Sequence, residues 1–174
     1  MRKTILALAA LCMGCVGLAQ ADDPAKLSDT EIAHVAYTAD NIDIRYAHLA
    51  LAISTTPEIH EFAKTMIRDH EAVNEAALDL LAKLGAEAQD NFLSQSLNEN
   101  AETIINDLAS KRGAEFDRAY AANELAYHQA VNQLVETTFI PNIDHPEVKA
   151  LFEQGLEIFK AHERHAEMMV KAVQ

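Results

Sequence analysis

Apolar residues recur at alternating steps of three and four along most of the chain, which is the spacing of one face of an amphipathic α-helix. The clearest series lies between Pro57 and Gly85, because a first-turn proline and a terminal glycine are typical of the two ends of a helix. No segment of length alternates with the period of two that is typical of a strand. The sequence therefore predicts an all-α protein with four long helices and one shorter helix, at about 29–54, 57–84, 93–108, 113–138 and 146–173.

The lengths of the connections between helices indicate which type of helical bundle the chain forms. Tight links near Thr55 and near Asn142 each join two long helices, which must then run antiparallel as hairpins. The stretch from Ala86 to Gly113 separates the two hairpins, and with its own short helix it is long enough to span the height of the bundle. Two antiparallel hairpins with one long crossover form a ferritin-like four-helix bundle. The alternative is an up-down bundle in which the short helix is a full member.

The first 21 residues have the pattern of a cleaved secretory signal peptide. A basic start precedes an uncharged run at 4–19, and small residues occupy the minus-three and minus-one positions before the cleavage point. The run is shorter than the roughly 20 apolar residues that cross a bilayer, which argues against a membrane anchor. We therefore predict cleavage after Ala21, a single helical domain over residues 22–174, and a periplasmic or extracellular location.

Charge and cysteine content exclude several classes of function. The chain has 14 Lys and Arg against 27 Asp and Glu, and its formal charge of −13 becomes −15 once Arg2 and Lys3 leave with the signal. Such a field repels phosphate backbones and anionic lipids, so we expect no nucleic-acid partner and no stable membrane insertion of the mature chain. Both cysteines, Cys12 and Cys15, lie in the signal. The mature chain therefore has no disulfide, no thiol catalysis and no thiolate metal site.

Four short helical motifs are specific by their order and spacing along the chain. They are Leu27–Ala36, Met66–His70 followed by Asn74, Phe116–Tyr120 followed by His128, and Ala161–Ala166. Together they resemble a family of exported bacterial proteins catalogued as domain of unknown function 4142. The resemblance extends over nearly all of the mature chain. It implies a ferritin-like helical bundle in the bacterial envelope, and it implies no activity.

Polar side chains occupy stripes that are otherwise apolar. His70 and His162 each lie at the centre of a stripe, and Asp43 lies on the stripe of the first helix. Glu124 and His128, one turn apart, lie on the shoulder of the third long helix. Each of the four helices thus directs a metal-capable side chain inward. Counted from the connecting turns, the residues within each hairpin have similar depths, whereas counting does not fix whether the two hairpins share one layer.

These five residues predict a metal site rather than a di-iron centre of the ferritin type. That centre needs a Glu three residues before a His on each of two helices, but Ile67 and Phe159 stand at those positions. A histidine-rich set matches zinc, copper or nickel better, with iron also compatible.

Three functions of different class follow from this pattern. The first is an exported metal-binding protein with a role in metal handling or envelope stress. The second is a non-catalytic structural or interaction module, in which the buried histidines only hydrogen-bond to a carboxylate or a backbone carbonyl. The third and weakest is a metal-dependent oxidoreductase, because both bridging-type carboxylates of a di-iron oxidase are absent. The sequence also contains no catalytic triad, phosphate loop or dinucleotide fingerprint. The pattern leaves open whether the chain pairs with a protein partner or with itself.

Overall fold

The computed structural model describes residues 22–174, and the predicted signal peptide lies outside this range. After a 3-10 turn at Pro24–Lys26, the described chain is helical and contains no strand, which confirms the all-α prediction. The helices are α1 (Asp29–Ile53), α2 (Pro57–Leu84), α3 (Phe92–Ala109), α4 (Gly113–Leu134), the single turn α5 (Ile140–Asn142) and α6 (Pro146–Ala172). Within residues 22–174, no helix combines the length and the apolarity needed to cross a bilayer.

Local capping explains where the first two helices begin and end. The Ser28 side chain accepts from the backbone of Glu31, and the Glu31 carboxylate accepts from the Ser28 N–H at 2.8 Å, which forms a capping box. α2 begins at Pro57 and stops at Gly85, whose φ of 66° lies in the left-handed region that favours glycine. These boundaries match those predicted from the sequence.

The third long helix differs from its predicted course to about residue 138. α4 is regular to Leu134, and Val135–Phe139 then forms one turn of π-helix before α5. A π-turn holds an extra residue per turn and so rotates the side chains that follow it around the helix axis. Val135 and Phe139 are both buried.

The chain path brings the four long helices around one interior. A short link makes α1 and α2 an antiparallel hairpin, and α3 then returns along α1, starting where Asn91 donates from its amide to the Glu31 carbonyl at 3.0 Å. α4 therefore begins beside the α1–α2 link, where Asp117 accepts hydrogen bonds from Ser54 at 2.6 Å and Thr56 at 2.5 Å. α4 then packs on α6, and α2 packs on α6.

Two apolar clusters fill the two ends of this interior. The cluster around Phe62 and Phe116 lies at the end of the α1–α2 link, and the cluster around Ile32 and Phe139 lies at the opposite end. Between them lies a layer of buried polar side chains, which is the candidate site.

Candidate metal centre

Three buried histidines from three helices meet in the polar layer. His70 lies on α2, His128 on α4 and His162 on α6, and their exposed fractions are 4%, 2% and 3%. One ring nitrogen from each lies within 4.8 Å of those from the other two. The crossover thus brings the two hairpins to one layer, which is the point that counting along the sequence left open.

Each histidine ring is anchored through one nitrogen, which donates a hydrogen bond to an oxygen. An anchored N–H fixes the tautomer of a neutral imidazole, so in His128 and His162, where the ring is neutral, the opposite nitrogen carries the lone pair. The bonds run from His70 Nδ1 to Asp40 Oδ1 at 2.7 Å, from His128 Nδ1 to the Glu124 backbone carbonyl at 2.9 Å, and from His162 Nε2 to Asp69 Oδ2 at 3.0 Å.

The opposite nitrogen of each ring is buried and unbonded. Nε2 of His70, Nε2 of His128 and Nδ1 of His162 form no aligned hydrogen bond with any residue in the described range. A buried polar atom left in this state costs about 1–3 kcal/mol, and native interiors contain few of them. Within the described range the nitrogens of His128 and His162 are left without a partner, Nε2 of His70 faces only Asp43, and the three histidines could together hold a metal ion.

Two carboxyl groups share the layer with the rings. Asp43 on α1 and Glu124 on α4 are fully buried, and none of their four oxygens has an aligned hydrogen bond to the described part of the chain. Asp43 Oδ2 lies 2.7 Å from Nε2 of His70 and 3.8 Å from Nε2 of His128. The unbonded nitrogens of these two rings thus converge on one carboxylate oxygen. Glu124 Oε2 lies 3.9 Å from Nδ1 of His128.

The carboxylates hold a positive charge on His70. Burial alone would lower the pKa of His70, but the negative charges of Asp43 and Asp40, together with their close contacts, raise it to about 10. Burial conversely favours the neutral form of Asp43, yet the positive charge of His70 dominates and keeps the pKa of Asp43 below its ordinary value. At neutral pH the metal-free layer therefore favours a protonated His70 ring paired with the Asp43 carboxylate.

The remaining groups of the layer are held neutral. Burial and the charge of Asp43 raise the pKa of Glu124 well above its ordinary value, which favours the protonated form of this carboxyl group. Burial lowers the pKa of His128, and it lowers the pKa of His162 to about 4 despite the hydrogen bond to Asp69. Neutral imidazole is the form of histidine that binds a metal.

Aromatic rings enclose the layer. Phe159 stacks on His70 with ring centroids 5.0 Å apart and planes inclined by 11°. Phe62 presents its edge to His128 at 6.2 Å and to His165 at 5.0 Å. These apolar walls exclude water and strengthen the electrostatic interactions inside.

The structure brings together all five residues that the sequence singled out, namely Asp43, His70, Glu124, His128 and His162. Sequence reasoning missed Asp40 and Asp69, which anchor two of the rings. Asp40 lies three residues before Asp43 on α1 and Asp69 lies directly before His70. The spacing of three residues between Asp40 and Asp43, on a helix that packs beside the one with the inward His70, was the available signal for Asp40.

The donor set fits a single first-row transition metal ion. Three imidazoles and one or two carboxylates are ligands that zinc, copper, nickel and iron accept. A tetrahedral ion about 2.1 Å from each nitrogen needs nitrogens about 3.4 Å apart, so the rings require only a modest approach from their present separation. Oxygen anchors on the opposite nitrogens are the usual outer contacts of metal-binding histidines.

Comparison with known proteins identifies one family. A family model described as "Domain of unknown function (DUF4142)" matches residues 16–169. No curated protein and no solved structure matches the chain.

Proposed function

Because the chain belongs to the DUF4142 family, whose description names no activity, we propose its function from the polar layer itself: the protein binds one transition metal ion. The imidazoles of His70, His128 and His162 form the core of the site. Asp43 and Glu124 supply one or two oxygen ligands and the negative charge that balances a divalent ion.

The observation that carries the proposal is the pairing of anchored and unbonded nitrogens. In all three rings one nitrogen donates to an oxygen; the other nitrogen of His128 and of His162 has no hydrogen bond within residues 22–174, and that of His70 has only the Asp43 carboxylate, at 2.7 Å. A core built only for packing has no need for this arrangement in three rings of a single layer. A bound metal satisfies all three nitrogens at once.

The charges of the metal-free layer support the same proposal. The Asp43 carboxylate favours a positive charge beside it, and in the metal-free state the protonated His70 ring supplies that charge. A divalent ion replaces this proton and converts the neutral Glu124 into a charged ligand. Imidazole with carboxylate favours zinc, copper(II) or nickel, and iron(II) is also compatible.

The proposal extends to architecture and location. α1 with α2 and α4 with α6 form two hairpins, and α3 lies in the crossover, so we assign the chain a ferritin-like four-helix bundle. The basic, apolar and small-residue pattern of residues 1–21 supports export with cleavage after Ala21. A metal site in an exported bundle suits metal handling or a response to envelope stress.

One observation favours the alternative of a structural module. Asp40 and Asp43 contact both nitrogens of His70 at 2.7 Å, so this ring forms a buried ion-pair network without any metal. Under this alternative the network specifies the packing of α1 on α2, and added metal has no effect on stability. The same network leaves the unbonded nitrogens of His128 and His162 unexplained.

Titration calorimetry of chelator-treated protein with zinc, copper(II), nickel and iron(II) tests the proposal. We expect one ion per chain for at least one metal, with Kd below about 10 μM, a free energy near −7 kcal/mol. Bound metal should also raise the Tm, because binding to the folded state alone stabilises it. His128→Leu should abolish both effects, and His48→Leu, which changes an exposed histidine of α1, should abolish neither. Failure of all four metals to bind with this affinity would refute the proposal.

A further inference from the structure

An apolar cavity of about 190 Å³ lies beside the polar layer, toward the start of α1. It is bounded by α1, α2, α4 and α6, and Leu97 and Asn100 of α3 lie at its edge. Five of the residues that line it are small. These residues are Ala36, Ala39, Ala77, Ala130 and Gly155.

The π-turn contributes to the cavity wall. Val135 begins this turn and Phe139 ends it, and both line the cavity. A π-turn within a long helix is frequently found at functional sites. The π-turn that follows α4 therefore forms part of the cavity wall.

Asn74 places on the wall a buried polar atom without a hydrogen-bond partner among the described residues. Tyr127 donates its hydroxyl to the Ala39 carbonyl at 2.9 Å, and Asp40 accepts from His70. Asn74, which is 7% exposed, has an Oδ1 that accepts no hydrogen bond from the described residues. The cavity thus offers a buried acceptor that lacks a donor.

We propose that this cavity binds a small uncharged phenol, whose hydroxyl donates to Asn74 Oδ1 and whose ring lies among the apolar side chains. An apolar cavity of about 150 Å³ is large enough for benzene, so the present volume admits a ring with a short substituent. The rings of Phe139, Phe152 and Phe159 line the wall and provide edges and faces for an aromatic guest.

The lining excludes charged molecules of the same size. Of the described residues that line the cavity, none is Lys or Arg, so a carboxylate guest would be buried without a partner. The assignment does not rest on the proposed metal, because every contact in it is made by the chain alone.

Calorimetric titration of chelator-treated protein with three matched compounds tests the assignment. 4-Ethylphenol should bind one molecule per chain with a Kd below about 1 mM, which is modest for a guest of nine non-hydrogen atoms. Ethylbenzene, which lacks the hydroxyl, should bind roughly fivefold more weakly, because one net hydrogen bond is lost. 4-Ethylbenzoate should not bind over the same concentration range. Absence of 4-ethylphenol binding, or equal binding of the benzoate, would overturn the assignment.

Two variants and one control locate the site. Ala77→Leu places a larger side chain in the cavity and should abolish binding of both neutral compounds, whereas Ala76→Leu, at the exposed neighbouring position, should leave it unchanged. Asn74→Leu replaces a side chain of similar size and should remove the fivefold preference for the phenol. Far-UV circular dichroism establishes whether each variant is folded. If Ala77→Leu does not fold, Asn74→Leu alone tests the assignment. Unchanged binding by folded Ala77→Leu, or an unchanged preference in Asn74→Leu, would contradict the proposal, whatever the outcome of metal titration.

Discussion

Asp69 Oδ2 accepts a hydrogen bond from His162 Nε2 at 3.0 Å, so the residue directly before His70 on α2 orients the histidine of α6. Hydrogen bonds from Arg68 and His162 together lower the pKa of Asp69, which keeps this half-buried group ionised and a strong acceptor. One turn of α2 thus supplies one ring to the layer and positions a second, and it couples the two hairpins across the bundle.

The first prediction follows from this contact. Asp69→Ala removes the acceptor that fixes the His162 tautomer, and loss of such an outer partner typically costs 10–100-fold in metal affinity. We expect a loss of about this size in the calorimetric Kd. Asp79→Ala, at an exposed position on the same helix, is the matched control and should bind metal like the unaltered protein. Equal metal affinities of the two variants would show that Asp69 does not contribute to metal binding.

The second prediction separates metal binding from stability at Glu124. Burial and the charge of Asp43 raise the pKa of this carboxyl group and so favour its neutral form, which Glu124→Gln replaces with a neutral group of the same shape. Urea unfolding of the metal-free variant should therefore change the free energy of unfolding by less than about 1 kcal/mol. Its metal affinity should fall at least roughly tenfold, because a charged oxygen ligand is lost. Unaltered affinity would exclude Glu124 as a ligand.

The third prediction concerns protons. At pH 7.5 the metal-free protein carries a proton on His70, whose pKa is raised to about 10, and the raised pKa of Glu124 favours a second one, whereas the lowered pKa values of His128 and His162 favour their neutral forms. Metal binding should therefore release between one and two protons. Calorimetry in buffers of different ionisation enthalpy counts them. Binding with no release of protons would place the metal away from His70 and Glu124.

The fourth prediction is a pH dependence of the metal-free protein. His70 has a folded-state pKa of about 10 against an ordinary value of 6.5, so its protonated form stabilises the folded state fully below pH 6.5. This contribution should be lost as the pH rises through 10, with a slope of at most about 1.4 kcal/mol per pH unit for one proton. Urea unfolding between pH 7 and pH 10 measures the slope. His70→Leu should lose this slope and His48→Leu should retain it, and a slope that survives in His70→Leu would assign the effect to another group.

Much of the fold was predictable because helical periodicity and capping are local. Ser28, Pro57 and Gly85 determine helix ends through contacts within a few residues, and they lie where the sequence indicated. The π-turn at Val135–Phe139 was not predicted, since these residues are compatible with a regular helix and the extra residue depends on packing against neighbouring helices.

The inward polar residues were predictable for the same reason, whereas their partners were not. His70 and His162 interrupt apolar stripes, and a stripe shows which way a side chain points. Asp40 lies one position outside its stripe, where a carboxylate looks like part of a solvated face until α2 is placed beside α1. The cavity beside Asn74 left no signal at all, because the space between helices depends on the distances between their axes.

Anomalous diffraction from crystals of the zinc-loaded protein, recorded on both sides of the zinc absorption edge, tests the central claim most directly. The account predicts one peak per chain in the polar layer, about 2.1 Å from Nε2 of His70, Nε2 of His128 and Nδ1 of His162, with Asp40 and Asp69 still bonded to the opposite nitrogens. A peak confined to surface carboxylates, with His70 still held between Asp40 and Asp43 as in the metal-free protein, would contradict it.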